Sequence, residues 1–95
     1  SVNGLIFLRA TEVQGNIESH NGNITLADSC YIHGDILIKE TQADKKSLEI
    51  RMQNGSVVRD DVEVKDRGRK VKLILSGGSR VEGRVIGADV IKENN

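Results

Sequence analysis

Apolar residues in this chain come in short alternating bursts, and the bursts recur. "TEVQGNI" (residues 11–17), "CYIHGDI" (30–36), "SVVRDDV" (56–62) and the start of "SRVEGRVIGADVI" (79–91) all place an aliphatic residue two positions before and two after a centre. The centres are Gly15, Gly34, Asp60 and Gly83, spaced 19, 26 and 23 residues apart. Two polar stretches, "TQADKKS" (41–47) and "RGRK" (67–70), lie in the longer intervals, and removing them restores 19 residues in both. One period therefore spans the chain.

A second burst precedes each centre: "LIFL", "NITL", "LEIRM" and "VKLIL". Between bursts lie corners of Asn, Asp and Gly, such as Asp28, Asn54-Gly55 and Gly77-Gly78, residues that tolerate the positive φ of a tight turn. A fixed period near 20 with several short strands per unit is the mark of a solenoid. One unit cannot enclose its own apolar side, but stacked units make a continuous core. The pattern predicts three inward columns: Val13, Ile32, Val58 and Val81; Ile17, Ile36, Val62 and Val85; Leu8, Leu26, Met52 and Leu75. Burying one such side chain contributes about 1.5–3 kcal/mol.

An antiparallel meander would need only alternation, not the same residue class at the same phase of every unit. A hexapeptide-type left-handed coil would need an apolar residue every six positions, which is not the spacing here. The expectation is therefore an all-β, right-handed parallel β-helix of four to five coils, formed by residues 1–95 as a single domain. Outward positions form columns too. Gln14, His33, Arg59 and Glu82 make one and Asn16, Asp35, Asp61 and Arg84 another, so Arg59 should meet Glu82 and Asp61 should meet Arg84. The same register sets Asp35 beneath Asp61, a juxtaposition the pattern does not explain.

Composition narrows the picture. Aromatic residues are 2% of the chain, only Phe7 and Tyr31, so β-branched aliphatics must fill the core. Pro is absent, and Cys30 is the only cysteine, so no internal disulfide forms. No apolar run approaches the ~20 residues of a bilayer span. The chain opens mid-pattern at "SVNGLIFL" without a Met, which suggests a fragment of a longer chain.

The paired motifs "NG-x-I-x-L" and "V-x-G-x-I" resemble those of the bactofilin, or polymer-forming cytoskeletal, family, and are similar to those of bacterial adhesin-like β-solenoids, many of them extracytoplasmic. The resemblance runs from Val2 to about Lys92. It implies a structural or self-assembly role without catalysis or cofactor. The periplasm or cell surface is favoured over the cytoplasm as the location. Asp60 in place of Gly, the two insertions, and the lack of Pro-rich flanks depart from the family pattern.

Formal charge is zero, yet its distribution is uneven. Both insertions follow the same strand of successive units, so they should stack on one edge. Lys39, Lys45, Lys46, Lys65, Arg67, Arg69, Lys70 and Lys72 would give that edge an excess of +5 over Glu40, Asp44 and Asp66. This is a candidate site for an anionic partner such as acidic polysaccharide or lipid headgroups. The plainer reading is of solvated loops whose lysines blunt exposed strands. With no aromatic residue interleaved among the cations, nucleic acid is disfavoured. A metal site from Asp28, Cys30, His33 and Asp35 is disfavoured because Cys30 and His33 project from opposite faces of a strand. His20 and His33 lack the neighbours that nucleophilic or acid–base chemistry needs. "SGGS" (76–79) lacks the spacing of a phosphate loop. The remaining expectation is self-association, through open coil ends or with the rest of a parent chain.

Overall fold

The computed structural model describes residues 4–42 and 46–93. Among these there are thirteen strands and no helix, hence no helix long and apolar enough to cross a membrane. In the first coil they are β1 (Ile6–Arg9), β2 (Glu12–Val13) and β3 (Ile17–Ser19), and in the second β4 (Ile24–Ala27), β5 (Tyr31–Ile32) and β6 (Ile36–Ile38). The third holds β7 (Leu48–Met52), β8 (Val57–Val58) and β9 (Val62–Val64). The fourth holds β10 (Val71–Leu75), β11 (Arg80–Val81) and β12 (Val85–Ile86), and β13 (Asp89–Lys92) follows. All pairing is parallel. The sheets run β1-β4-β7-β10-β13, β2-β5-β8-β11 and β3-β6-β9-β12.

The three inward columns are realised residue for residue. Val13, Ile32, Val58 and Val81 are register partners in one sheet. Ile17, Ile36, Val62 and Val85 are partners in the second. Leu8, Leu26, Met52 and Leu75 are partners in the third, beside a further column of Ile6, Ile24, Ile50, Leu73 and Val90. Apart from Val90, which is exposed, they form one aliphatic spine.

The coil count falls short of the four to five expected. Pairing in all three sheets extends over three coil-to-coil steps, and β13 adds a strand to one sheet only, so about three turns are closed. The polarity of the segment "GADVIKENN" predicts that it closes the stack, and its described part does not do so. Its described part is the edge strand β13, with Val90 exposed. Parallel pairing and register are the same for a coil of either hand, so right-handedness is not part of this result.

One corner explains the period's punctuation. Ala10, Asp28, Ser29, Asn54, Gly55, Gly77 and Gly78 all have positive φ there. At Gly77, with φ +62°, a Cβ would also lie 2.8 Å from the Asn54 nitrogen one coil below. The centre column has another cause. A Cβ on Gly83 would sit 2.3 Å from the Asp60 carbonyl oxygen, so coils stack there backbone on backbone. Asp60 is tolerated where its rung is looser. Its N–H reaches the Gly34 oxygen at 3.4 Å, against 3.0 Å for the next rung, Gly83 to Asp60.

The Asp35–Asp61 stack is also resolved. Oδ1 of Asn16 accepts the backbone N–H of Asp35, Oδ1 of Asp35 that of Asp61, and Oδ1 of Asp61 that of Arg84, each at 2.8 Å. Each side chain thus holds the coil above it, and the negative charge is stabilised by peptide donors. Arg84 meets Asp61 at 3.5 Å as expected, but Glu82 is bound at 3.0 Å by Arg80, two residues earlier in its own coil, a pairing not anticipated from the column.

Candidate functional site

The two insertions lie at one corner, between β6 and β7 and between β9 and β10. The second is a tight turn. Arg69 N–H donates to the Asp66 carbonyl at 3.2 Å, and Gly68 has φ +76° at the third turn position, where glycine suits a type II turn. This turn drives Arg69 inward. Its side chain is 1% exposed and its guanidinium reaches three coil corners at once. Nη1 donates to the Asp66 carboxylate at 3.0 Å and to the His20 carbonyl at 3.3 Å. Nε donates to the Lys46 carbonyl at 2.6 Å, and Nη2 to Oδ1 of Asn21.

Arg69 is therefore withdrawn from the cationic edge. It is a buried tie in which planar, multiply directed donors match a set of carbonyls that no single lysine could satisfy. Asp66 goes with it, and because the two charges cancel, the withdrawal of this pair leaves the net charge of the edge unchanged. Lys72 is displaced as well. It lies on the outer face of the long sheet, in register between Glu49 and Asp89, so carboxylates flank it on both sides. Lys45 lies outside the described residues.

The remaining cations gather in two groups. Lys39 donates its N–H to the Ser19 carbonyl and Lys65 to that of Ile38, which makes His20, Lys39 and Lys65 successive rungs of one outward column. Successive rungs are ~4.8 Å apart. Around the turn, Lys46 and Lys70 border a shallow pit of 190 Å³ that is also lined by Ser47, Gly68 and Arg69, and Arg67 is exposed on the same turn. The Leu48 N–H bond to the Lys70 carbonyl, 2.9 Å, holds the two insertions side by side. A larger groove of 630 Å³ continues past Lys70 along the long sheet, lined by Asn23, Glu49, Lys72 and Asp89 among others.

Other candidates do not converge on chemistry. Cys30 is buried at a corner, its Sγ 3.2 Å from the Ala27 carbonyl oxygen. His33 points away from it, with Nε2 2.5 Å from Glu12 Oε2 and its ring 4.6 Å from that of Tyr31. Among the described residues no three His, Cys, Asp or Glu side chains gather as a metal site.

Sequence reasoning missed the buried polar residues. Ser56 Oγ donates to the Gln53 carbonyl at 2.9 Å and accepts the Cys30 N–H at 3.2 Å, stitching two coils, and Ser19 Oγ closes the Gly22 corner at 2.9 Å. Their shared phase with Cys30 and Ser79 was the available signal for Ser56.

The molecule is a β-solenoid, and its described residues include a tied corner and a cationic edge. No protein-family model, curated protein or solved structure matches the chain.

Proposed function

We propose that this chain is a non-catalytic structural module that self-associates through its open coil ends, a role of the kind the bactofilin resemblance implies. The observation that carries the reading is the placement of exposed apolar side chains. Leu5 and Phe7, 69% and 57% exposed, lie at the first coil, and Ile86, Val90 and Ile91, 38%, 46% and 38% exposed, at the last. Solenoids ordinarily cover such ends with polar caps, and edge strands are ordinarily blunted by Lys, Pro or bulges. Strand β1 carries a single charge, Arg9, and neither end is capped among the described residues.

The register supports a head-to-tail joint. Continued one rung beyond β13, it sets Ile6, Phe7 and Arg9 of a second copy over Val90, Ile91 and Glu93. At these three positions the contacts are aliphatic on aliphatic, ring on aliphatic, and cation on carboxylate. The position between the last two sets Leu8 over Lys92, whose aliphatic stem packs on it with the ammonium turned to solvent. Because β13 stands one rung beyond β11 and β12, this joint is made within one sheet. Such a heterologous contact propagates rather than closes.

Light scattering against concentration tests it. The average mass should rise with concentration, and Phe7→Lys or Val90→Lys should each hold the chain as a monomer. Mixing the two variants should restore one joint and give dimers only. A wild-type monomer at every concentration up to about 1 mM, an affinity limit of roughly 4 kcal/mol, refutes the proposal.

A second reading, a surface module for an anionic partner such as polysaccharide, is favoured by one observation. Lys46, Lys65, Arg67 and Lys70 have no carboxylate partner among the described residues, whereas Arg9, Arg51, Arg80 and Arg84 are all paired. Early salt elution from an anionic matrix, lost when Lys46, Lys65, Arg67 and Lys70 become Gln, is its test.

A further inference from the structure

We propose that the pit between the two insertions is a discrete site for one tetrahedral dianion, a phosphate or sulfate group. This rests on the second reading and narrows it from a diffuse edge to five residues. A charged edge by itself attracts anions without saturation, through the summed field. A site requires donors fixed around a volume of matching size, and three features of this corner supply that.

The pit, 190 Å³, admits a small oxyanion group and is too shallow for a larger ligand to enter whole. Two of its lining residues, Lys46 and Lys70, lack a carboxylate partner among the described residues, so the site leaves a charge of +2 uncompensated, which a dianion would match. The lining is also held in place. Lys46 and Lys70 flank Arg69, whose Nε bond to the Lys46 carbonyl and Nη1 bond to Asp66 fix one insertion against the other. Arg69 is a positioning residue here, since its own charge is already matched by Asp66.

Further donors are at hand. The backbone N–H groups of Ser47, Gly68 and Lys70 have no protein acceptor among the described residues, and the Ser47 hydroxyl is likewise unpaired. Gly68, at positive φ and with open space where a Cβ would stand, keeps the approach to the turn clear. Peptide N–H groups beside a positive-φ residue form anion-binding concavities elsewhere, and charge-assisted bonds to oxyanions are about twice as strong as neutral ones. The Lys39–Lys65 column carries the same formal charge outside the pit, so it serves as the internal control.

The test is a titration of the isotope-labelled chain, followed by amide resonances at constant ionic strength set with chloride. Inorganic phosphate and a disaccharide bearing a phosphate monoester, a dianion near neutral pH, are the probes. Saturable shifts are expected at Ser47, Gly68, Arg69 and Lys70. Lys46→Gln with Lys70→Gln should weaken binding about tenfold or more, because both charge-assisted donors are lost. Lys39→Gln with Lys65→Gln, which removes the same formal charge, should leave it within about twofold. Saturation by phosphate identifies the free ion as sufficient. Saturation by the disaccharide alone, with the same dependence on Lys46 and Lys70, identifies a glycan-borne group and also supports the site. The proposal is overturned if neither probe saturates, or if both double variants weaken binding equally. Retention on an anionic matrix in that case would leave the edge reading standing without the pit.

Discussion

One column of the spine holds a comparison within itself. Ile6, Ile24, Ile50, Leu73 and Val90 are register partners with the same inward orientation. Ile24, Ile50 and Leu73 are fully buried, while Ile6 is half-buried and Val90 exposed. Residue type and phase are the same, so only the presence of a neighbouring coil on both sides differs. Stability in a solenoid is a sum of coil and interface contributions. Middle coils have two interfaces and end coils one. The end coils of the described residues are therefore the most weakly held, and their apolar side chains stay exposed.

The largest test of that contrast is electrostatic. The Asp66–Arg69 pair is enclosed between corners, with side chains 2% and 1% exposed, whereas Arg80 and Glu82 pair on a coil near the end with side chains 61% and 39% exposed. Replacing Asp66 by Ala leaves a buried guanidinium without its counter-ion and should cost about 3–5 kcal/mol. Glu82→Ala should cost no more than about 1 kcal/mol. Urea unfolding midpoints, at constant m, measure both. Equal losses would mean that the clasp is as wet as the surface pair.

Apolar truncation comes next. Ile50→Ala should destabilise by about 2–5 kcal/mol, with a cavity that two flanking coils prevent from collapsing. Ile6→Ala removes the same methyl groups from a half-buried position and should cost less than half as much, because fewer of them leave water on folding. A loss at Ile6 matching that at Ile50 would show that something covers the first coil, which self-association at high concentration would itself produce.

Much of this was legible in the sequence, and the residues show why. The three aliphatic columns could be named because a buried position admits only one class of side chain, and four repetitions of Val, Ile or Leu at one phase leave little other reading. Arg69 was not legible. In "RGRK" it is one of three cations beside a glycine, the composition of a solvated loop, and only the fold brings His20, Asn21 and Lys46 within its reach. Asp35 beneath Asp61 was placed correctly without its chemistry being visible, because the stabilising donors are peptide N–H groups that leave no trace in residue type. Strand β13 was hidden for a related reason. Its polar setting suggested closure, yet Asp89 and Lys92 flank two aliphatics that continue an edge.

The smallest effect lies at the opposite corner and depends on pH. Asp28 accepts the Asn54 amide at 3.0 Å and Arg9 at 2.5 Å, joining the first three coils. The Asn54 hydrogen bond first, and the Arg9 bond second, hold its carboxyl below the ordinary aspartate value of 3.8. A lowered folded-state pKa means that the unfolded chain takes up the proton more readily. Its contribution to stability is thus complete above about pH 4 to 5 and is lost as pH falls through the folded value. Asp28→Asn should remove that part of the acid limb and leave the profile above pH 5 parallel to the wild type. The shift should be modest, since solvent reaches this carboxylate and screens it. Arg9→Gln should retain more of the limb than Asn54→Ala, in keeping with the order of the two causes. The reverse order in acid-unfolding midpoints would mean that the cation of the first coil, rather than the Asn54 amide of the third, governs the corner.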